Sequence, residues 1–131
     1  MAYITFQDVG IRAVSACVPK NVRPSSELKD LLSESEYDKI VHSTGILEKR
    51  YADKDVCASD LCYKAALQLL EDNSIEPSSI DALIFVSQTP DFRQPATAPL
   101  LQYRLGLPTT TLALDVNLAC SGYVYGLSMA Y

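Results

Sequence analysis

The chain has no tryptophan, a single histidine and no C-x-x-C pair, and these gaps close off several chemistries. A structural zinc site takes about four well-spaced ligands. Cys57 and Cys62 with His42 do not supply them, so no metal site is expected. Neither G-x-G-x-x-G nor G-x-x-x-x-G-K occurs, which leaves no loop for cradling nucleotide phosphates. No bound cofactor is expected. A membrane-spanning helix needs about 20 apolar residues in succession, whereas the longest strongly apolar run is the short stretch 82–86. The opening MAYITFQDVG lacks a basic region before an apolar one, so a secretory signal is not expected either.

Positive charge is also sparse. Acidic residues number 16 against 11 basic ones, for a net charge of −5. The basic pairs Lys20/Arg23, Lys49/Arg50 and Arg93/Arg104 form no run or stripe in the sequence. That excludes an electrostatic footprint for nucleic acid or an anionic membrane. With no secretory signal, the cysteines at 17, 57, 62 and 120 read as free thiols in a reducing, cytoplasmic setting. The 48% hydrophobic content is too high for a disordered chain, and 131 residues suit one domain.

Residues 2–18 are rich in β-branched side chains and read as one long or bent strand, with Gly10 at the bend. Residues 19–24 read as a loop. Ser25 or Ser26 then caps a short helix to about Leu32, and a second helix over residues 36–42 stops at Gly45. Residues 46–52 are expected to be extended and exposed. The clearest helix is Ala58–Asp72, with Ser59 as N-cap. Leu61, Cys62, Ala65, Ala66, Leu69 and Leu70 recur at spacings of three and four, marking one buried face. Residues 81–87 form an apolar run typical of a strand covered on both faces. A helix over 96–105, closed by Gly106, and a β-branched run over 109–117 follow. Strand, helix, strand, helix, strand is a parallel α/β pattern.

After that run comes Asp115-Val-Asn-Leu-Ala-Cys120-Ser-Gly122, read as strand, tight turn and a helix starting near Cys120. The small neighbours Ala119, Ser121 and Gly122 let other groups approach the thiol. Thiols at helix N-termini drop from about 8.5 to roughly 3.5–7.5 in pKa. The free N–H groups there can stabilise an oxyanion. The spacing alone is equally consistent with a nucleophile and with a small structural cysteine at a close helix–strand contact. The helix over 121–131 has no charged side chain, and a helix apolar on all sides belongs in the middle of a protein. From this we expect the chain to be a piece of a larger protein.

The residues then carry a resemblance. Ser43-Thr-Gly-Ile-Leu-Glu-Lys-Arg50-Tyr-Ala resembles the TGI-x-x-R region of the 3-oxoacyl-(acyl-carrier-protein) synthase III family. Ser59-Asp-Leu with Ala65-Ala66, Ile80-Asp81-Ala-Leu-Ile, Thr89-Pro-Asp91, Pro95-x-x-Ala98, Leu105-Gly-Leu107 and Asp115-x-x-x-Ala119-Cys120-Ser-Gly122 follow in family order. The resemblance implies a thiolase-like N-terminal half, with residues 1–131 forming part of one condensing-enzyme domain. It implies a three-stranded, mostly parallel partial sheet with flanking helices.

It further implies that Cys120 attacks an acyl thioester, such as acyl-coenzyme A, and holds the acyl group, with its own backbone N–H as oxyanion donor. Malonyl-acyl carrier protein would then lose carbon dioxide and attack the acyl-cysteine, a step of fatty acid biosynthesis. The His and Asn that assist decarboxylation in the family would lie beyond this stretch, and His42 matches neither. The piece alone is expected to be inactive. Gln94 falls at the acyl-pocket position, where members often carry a bulky residue. Lys39 and Ser43 stand where many members clamp the coenzyme A adenine with Trp and Arg, which leaves the acyl donor open. A homodimer is implied, with residues 109–116 at its edge, and the first strand would present an open edge that promotes self-association. The rival readings are a 3-hydroxy-3-methylglutaryl-coenzyme A or polyketide-type synthase, a non-catalytic acyl- or partner-binding module, and a redox-sensing thiol.

Overall fold

A computed structural model describes residues 3–131. It divides into two compact units, Val18–Val56 and the segment through Cys17 together with Cys57–Tyr131. No helix among the described residues is long and apolar enough to cross a membrane.

In the Val18–Val56 unit, strand β1 (Asn21–Pro24) pairs antiparallel with β2 (Glu48–Tyr51). The loop expected over 19–24 is therefore partly strand. The following segment is a 3₁₀ turn, Ser25–Asp30, and not an α-helix. It is pinned at its start, where the buried Ser25 donates its hydroxyl to the Ile46 carbonyl (2.8 Å) and its N–H to that of Leu47 (2.7 Å). Helix α1 (Glu34–Thr44) starts at Ser33, whose N–H and hydroxyl both donate to the Glu36 carboxylate (3.0 and 2.6 Å). These bonds hold the Glu36 carboxyl below its usual range. The helix ends at Gly45, which takes the left-handed conformation (φ 66°) and donates its N–H to Val41. Lys39, His42 and Ser43 are all exposed on α1.

In the other unit, residues 3–17 form no strand ladder, and most of them are exposed. A β-branched composition suits a pleated surface, but a strand also needs a neighbour to receive its hydrogen bonds, and none is present among the described residues. The bend sits at Asp8 (φ 56°), two residues ahead of the expected Gly10; Ala2 lies outside the described residues. Helix α2 (Ala58–Asp72) keeps the expected bounds, but its N-cap is Cys57, whose N–H donates to Asp60 (3.0 Å). Leu61, Ala65, Ala66, Leu69 and Leu70 are buried or half-buried, as the periodicity predicts. Cys62, at the margin of that face, is exposed.

Strand β3 (Ala82–Val86) pairs parallel with β4 (Leu112–Val116), and α3 (Thr97–Arg104) makes the crossover. The sheet is thus a parallel pair, smaller than the three strands expected. Phe85, Ala98 and Leu101 form its buried core, with Ala58, Tyr63, Leu83 and Ala113 packed around them. Gln102 closes the turn after α3 by donating to the carbonyls of Pro108 (2.7 Å) and Thr111 (2.9 Å). Arg104 ties α3 to α2 through Asp60 (2.8 Å) and stacks over Tyr63 at 4.5 Å. The last helix, α4 (Gly122–Ala130), carries the exposed apolar side chains Val124 and Met129.

Candidate functional site

Cys120 lies in the turn between β4 and α4, two residues ahead of the helix. The chain leaves β4 with the Leu118 N–H donating back to the Val116 carbonyl (3.0 Å). It then closes a second turn, Gly122 N–H to Ala119 carbonyl (2.9 Å), directly around Cys120. The Cys120 side chain is exposed and free. Its backbone N–H makes no hydrogen bond among the described residues, so the group expected to meet an oxyanion is available. The Gly122 N–H, already taken by Ala119, is not.

Two elements hold this turn. Gly122 and Gly126 bring α4 against Val86 of β3, so closely that a Cβ at either glycine would lie 2.7 and 2.8 Å from the Val86 methyls. On the other side, Asp115 of β4 reaches α3. Its carboxylate accepts the N–H of Thr97 (2.8 Å) and that of Ala98 (2.6 Å), capping a helix that has no side-chain cap of its own. In the sequence Asp115 shows only as part of a motif; its partners lie far enough away along the chain to leave no local signal.

A second aspartate works alike. Asp91 accepts the Ser59 hydroxyl in a short hydrogen bond and lies 3.4 Å from the Ser59 N–H in the first turn of α2. Ser59 is 1% exposed, so its place is set by this bond and not by the N-cap role expected of it. Partial burial, then the charge of Asp91, pushes the Cys62 thiol above its usual value.

Gln94 is exposed in the loop ahead of α3, joined to Pro95 by a cis peptide bond. A groove of about 820 Å³ runs along β3 and α4, lined among others by Ile84, Val86, Ala119, Tyr123 and Leu127. It reaches Ala119, the residue before Cys120, but neither Cys120 nor Gln94 lines it. Among the described residues no cluster of three or more His, Cys, Asp or Glu gathers as a metal site.

No family model matches the chain. It is 37% identical to beta-ketoacyl-(acyl-carrier-protein) synthase III 2 of Staphylococcus epidermidis over 92% of its own length and 36% of that enzyme. It is 36% identical to the beta-ketoacyl-(acyl-carrier-protein) synthase III of Levilactobacillus brevis over 96% of its length and 38% of the relative. Among solved structures, a 3-oxoacyl-(acyl-carrier protein) synthase from Burkholderia xenovorans superposes with a TM-score of 0.84 at 42% identity. That match covers 89% of this chain and 34% of the other. OleA from Xanthomonas campestris matches with a TM-score of 0.85 at 30% identity, over 95% of this chain and 38% of that one. The chain thus spans little more than a third of the curated relatives it matches.

Proposed function

We infer, from its membership of the 3-oxoacyl-(acyl-carrier-protein) synthase III family by sequence and fold, that this chain carries the nucleophile of a condensing enzyme. It is the N-terminal part of one thiolase-like domain, and the activity belongs to the intact protein. The observation that carries the reading is Cys120, an exposed thiol in the tight turn between a parallel strand and a close-packed helix.

The Cys120 sulfur attacks the carbonyl carbon of an acyl thioester, acyl-coenzyme A or another. The backbone N–H of Cys120 steadies the oxyanion, the donor's thiol departs with a proton, and the acyl group stays on sulfur. Malonyl-acyl carrier protein then enters, loses carbon dioxide, and its carbanion attacks the acyl carbonyl. The carbon–sulfur bond breaks, and the freed cysteine starts the next cycle. The exposed Gln94, ahead of α3, is the candidate for contact with the acyl chain.

The functional unit is a homodimer in the cytoplasm. The edge of β4 not paired to β3 is the candidate for the contact. The test is turnover by the intact protein. Given acyl-coenzyme A and malonyl-acyl carrier protein, it should release carbon dioxide and form a 3-oxoacyl product, and Cys120→Ser should abolish formation of that product. Product formation at the wild-type rate by the Cys120→Ser protein would remove Cys120 from the reaction.

A further inference from the structure

We propose that Asp115 is a positioning residue for Cys120, holding the nucleophile's turn in register with the first turn of α3. The proposal rests on Cys120 being the nucleophile described above.

Asp115 is the fourth of the five residues of β4, directly opposite Phe85 in the parallel register. Its backbone therefore belongs to the strand that delivers Cys120 five residues later. Its carboxylate belongs to another element, receiving the first two N–H groups of α3 with one oxygen each. Strand and helix are locked at one point, and the point is partly buried. Carboxylate oxygens on helix N-terminal N–H groups make strong bonds, and these two are 2.8 and 2.6 Å long.

The far side of the lock is also fixed. Thr97 is 0% exposed, and its hydroxyl has no hydrogen-bond partner among the described residues. The backbone N–H is therefore the polar group through which this buried residue is tied to β4. Gln94, three residues earlier, sits on the same segment. A carboxylate placed here sets the end of β4, and with it the turn around Cys120, against the segment expected to meet the acyl chain.

Asp115→Asn keeps the shape but turns an NH₂ toward one of two N–H donors, so one bond is lost and two donors face each other. Asp115→Ala removes both acceptors, so the two variants loosen the lock by one bond and by two.

The test measures acylation of Cys120 in the intact protein by acetyl-coenzyme A, as a single-turnover rate against donor concentration. In both variants the saturating rate should fall about tenfold or more, since misplacing a reacting group by about 1 Å costs on the order of 10²-fold. The concentration giving half the maximal rate should stay within about twofold, because a nucleophile out of line affects the chemical step and not ground-state binding. The near- and far-ultraviolet circular dichroism of both variants should match wild type at the assay temperature, which shows that the fold is retained. An unchanged saturating rate, or a loss of native circular dichroism that parallels the loss at Cys120, overturns the positioning role. If wild type is acylated neither by acetyl-coenzyme A nor by any other acyl thioester, the proposed function fails and the positioning role with it. If wild type is acylated and the variants match it, only the positioning role fails.

Discussion

Val86 occupies the space that a side chain at Gly122 would need: its Cγ1 lies 2.7 Å from the position of a Cβ there. Valine is stiff at χ1, so it cannot swing aside, and Leu118 Cβ waits at 3.3 Å behind the first clash. Replacing a helical glycine by alanine gains about 0.5–1 kcal/mol through the reduced freedom of the unfolded backbone. Overpacking costs about 1–3 kcal/mol, and here that cost outweighs the gain. Gly122→Ala should therefore destabilise the protein in a denaturant melt. In a Val86→Ala background the same change should become neutral or stabilising. A stabilising Gly122→Ala with Val86 in place would contradict the packing described.

Asp60 gives a pH signature. The Cys57 N–H, and then Arg104, hold its carboxyl below the usual 3.8. A folded-state pKa below the unfolded one contributes stability that is present above the unfolded value and lost as pH falls through the folded one. Asp60→Asn should lower stability near neutral pH, and the gap from wild type should close as the pH drops below 3.8. Unfolding curves across that acid range check this. A gap that stays constant through it would show that Asp60 contributes through shape alone.

Ser59→Ala removes the buried hydroxyl that donates to Asp91. The carboxylate is left with one N–H at 3.4 Å. Loss of a hydrogen bond to a half-buried carboxylate costs about 1 kcal/mol, more than the few tenths alanine gains in helix propensity. The expected outcome is a lower melting midpoint. An unchanged midpoint would mean that Asp91 finds another donor.

The β1–β2 ribbon holds a correctable fault. Arg23 and Lys49 are directly opposite each other, with Arg23 over the ring of Tyr51 at 4.8 Å. Like charges so placed are destabilising, and an opposite pair contributes roughly 0.2–1 kcal/mol. Lys49→Glu should raise the thermal midpoint at low salt, and the gain should shrink as salt screens the pair. A gain that is independent of salt would place the effect outside electrostatics.

The features legible in the sequence are those set by neighbours in the chain. Helix α2 shows in its three-four spacing, and the ends of α1 and α3 show in Gly45 and Gly106, both left-handed at φ 66° and 67°. The turn of Cys120 shows in the small residues around it. What stays hidden depends on partners distant in the chain. Strand β1 exists because β2 pairs with it across the whole of α1, and residues 3–17, strand-like in composition, find no such partner among the described residues. The clamp of Asp115 spans 17 and 18 residues to its two donors, and that of Asp91 spans 32 to Ser59. No local pattern encodes those distances. Cys62 departs from its pattern for a smaller reason, since a residue at the margin of an apolar stripe is covered or open according to what packs beside it.

The most direct measurement is the mass of the intact protein after incubation with acetyl-coenzyme A, followed by peptide mapping. The account predicts the addition of one acetyl group on Cys120, absent from Cys120→Ser and absent from Cys17, Cys57 and Cys62. No acetylation with any thioester donor, or acetylation that persists when Cys120 is replaced, would contradict it.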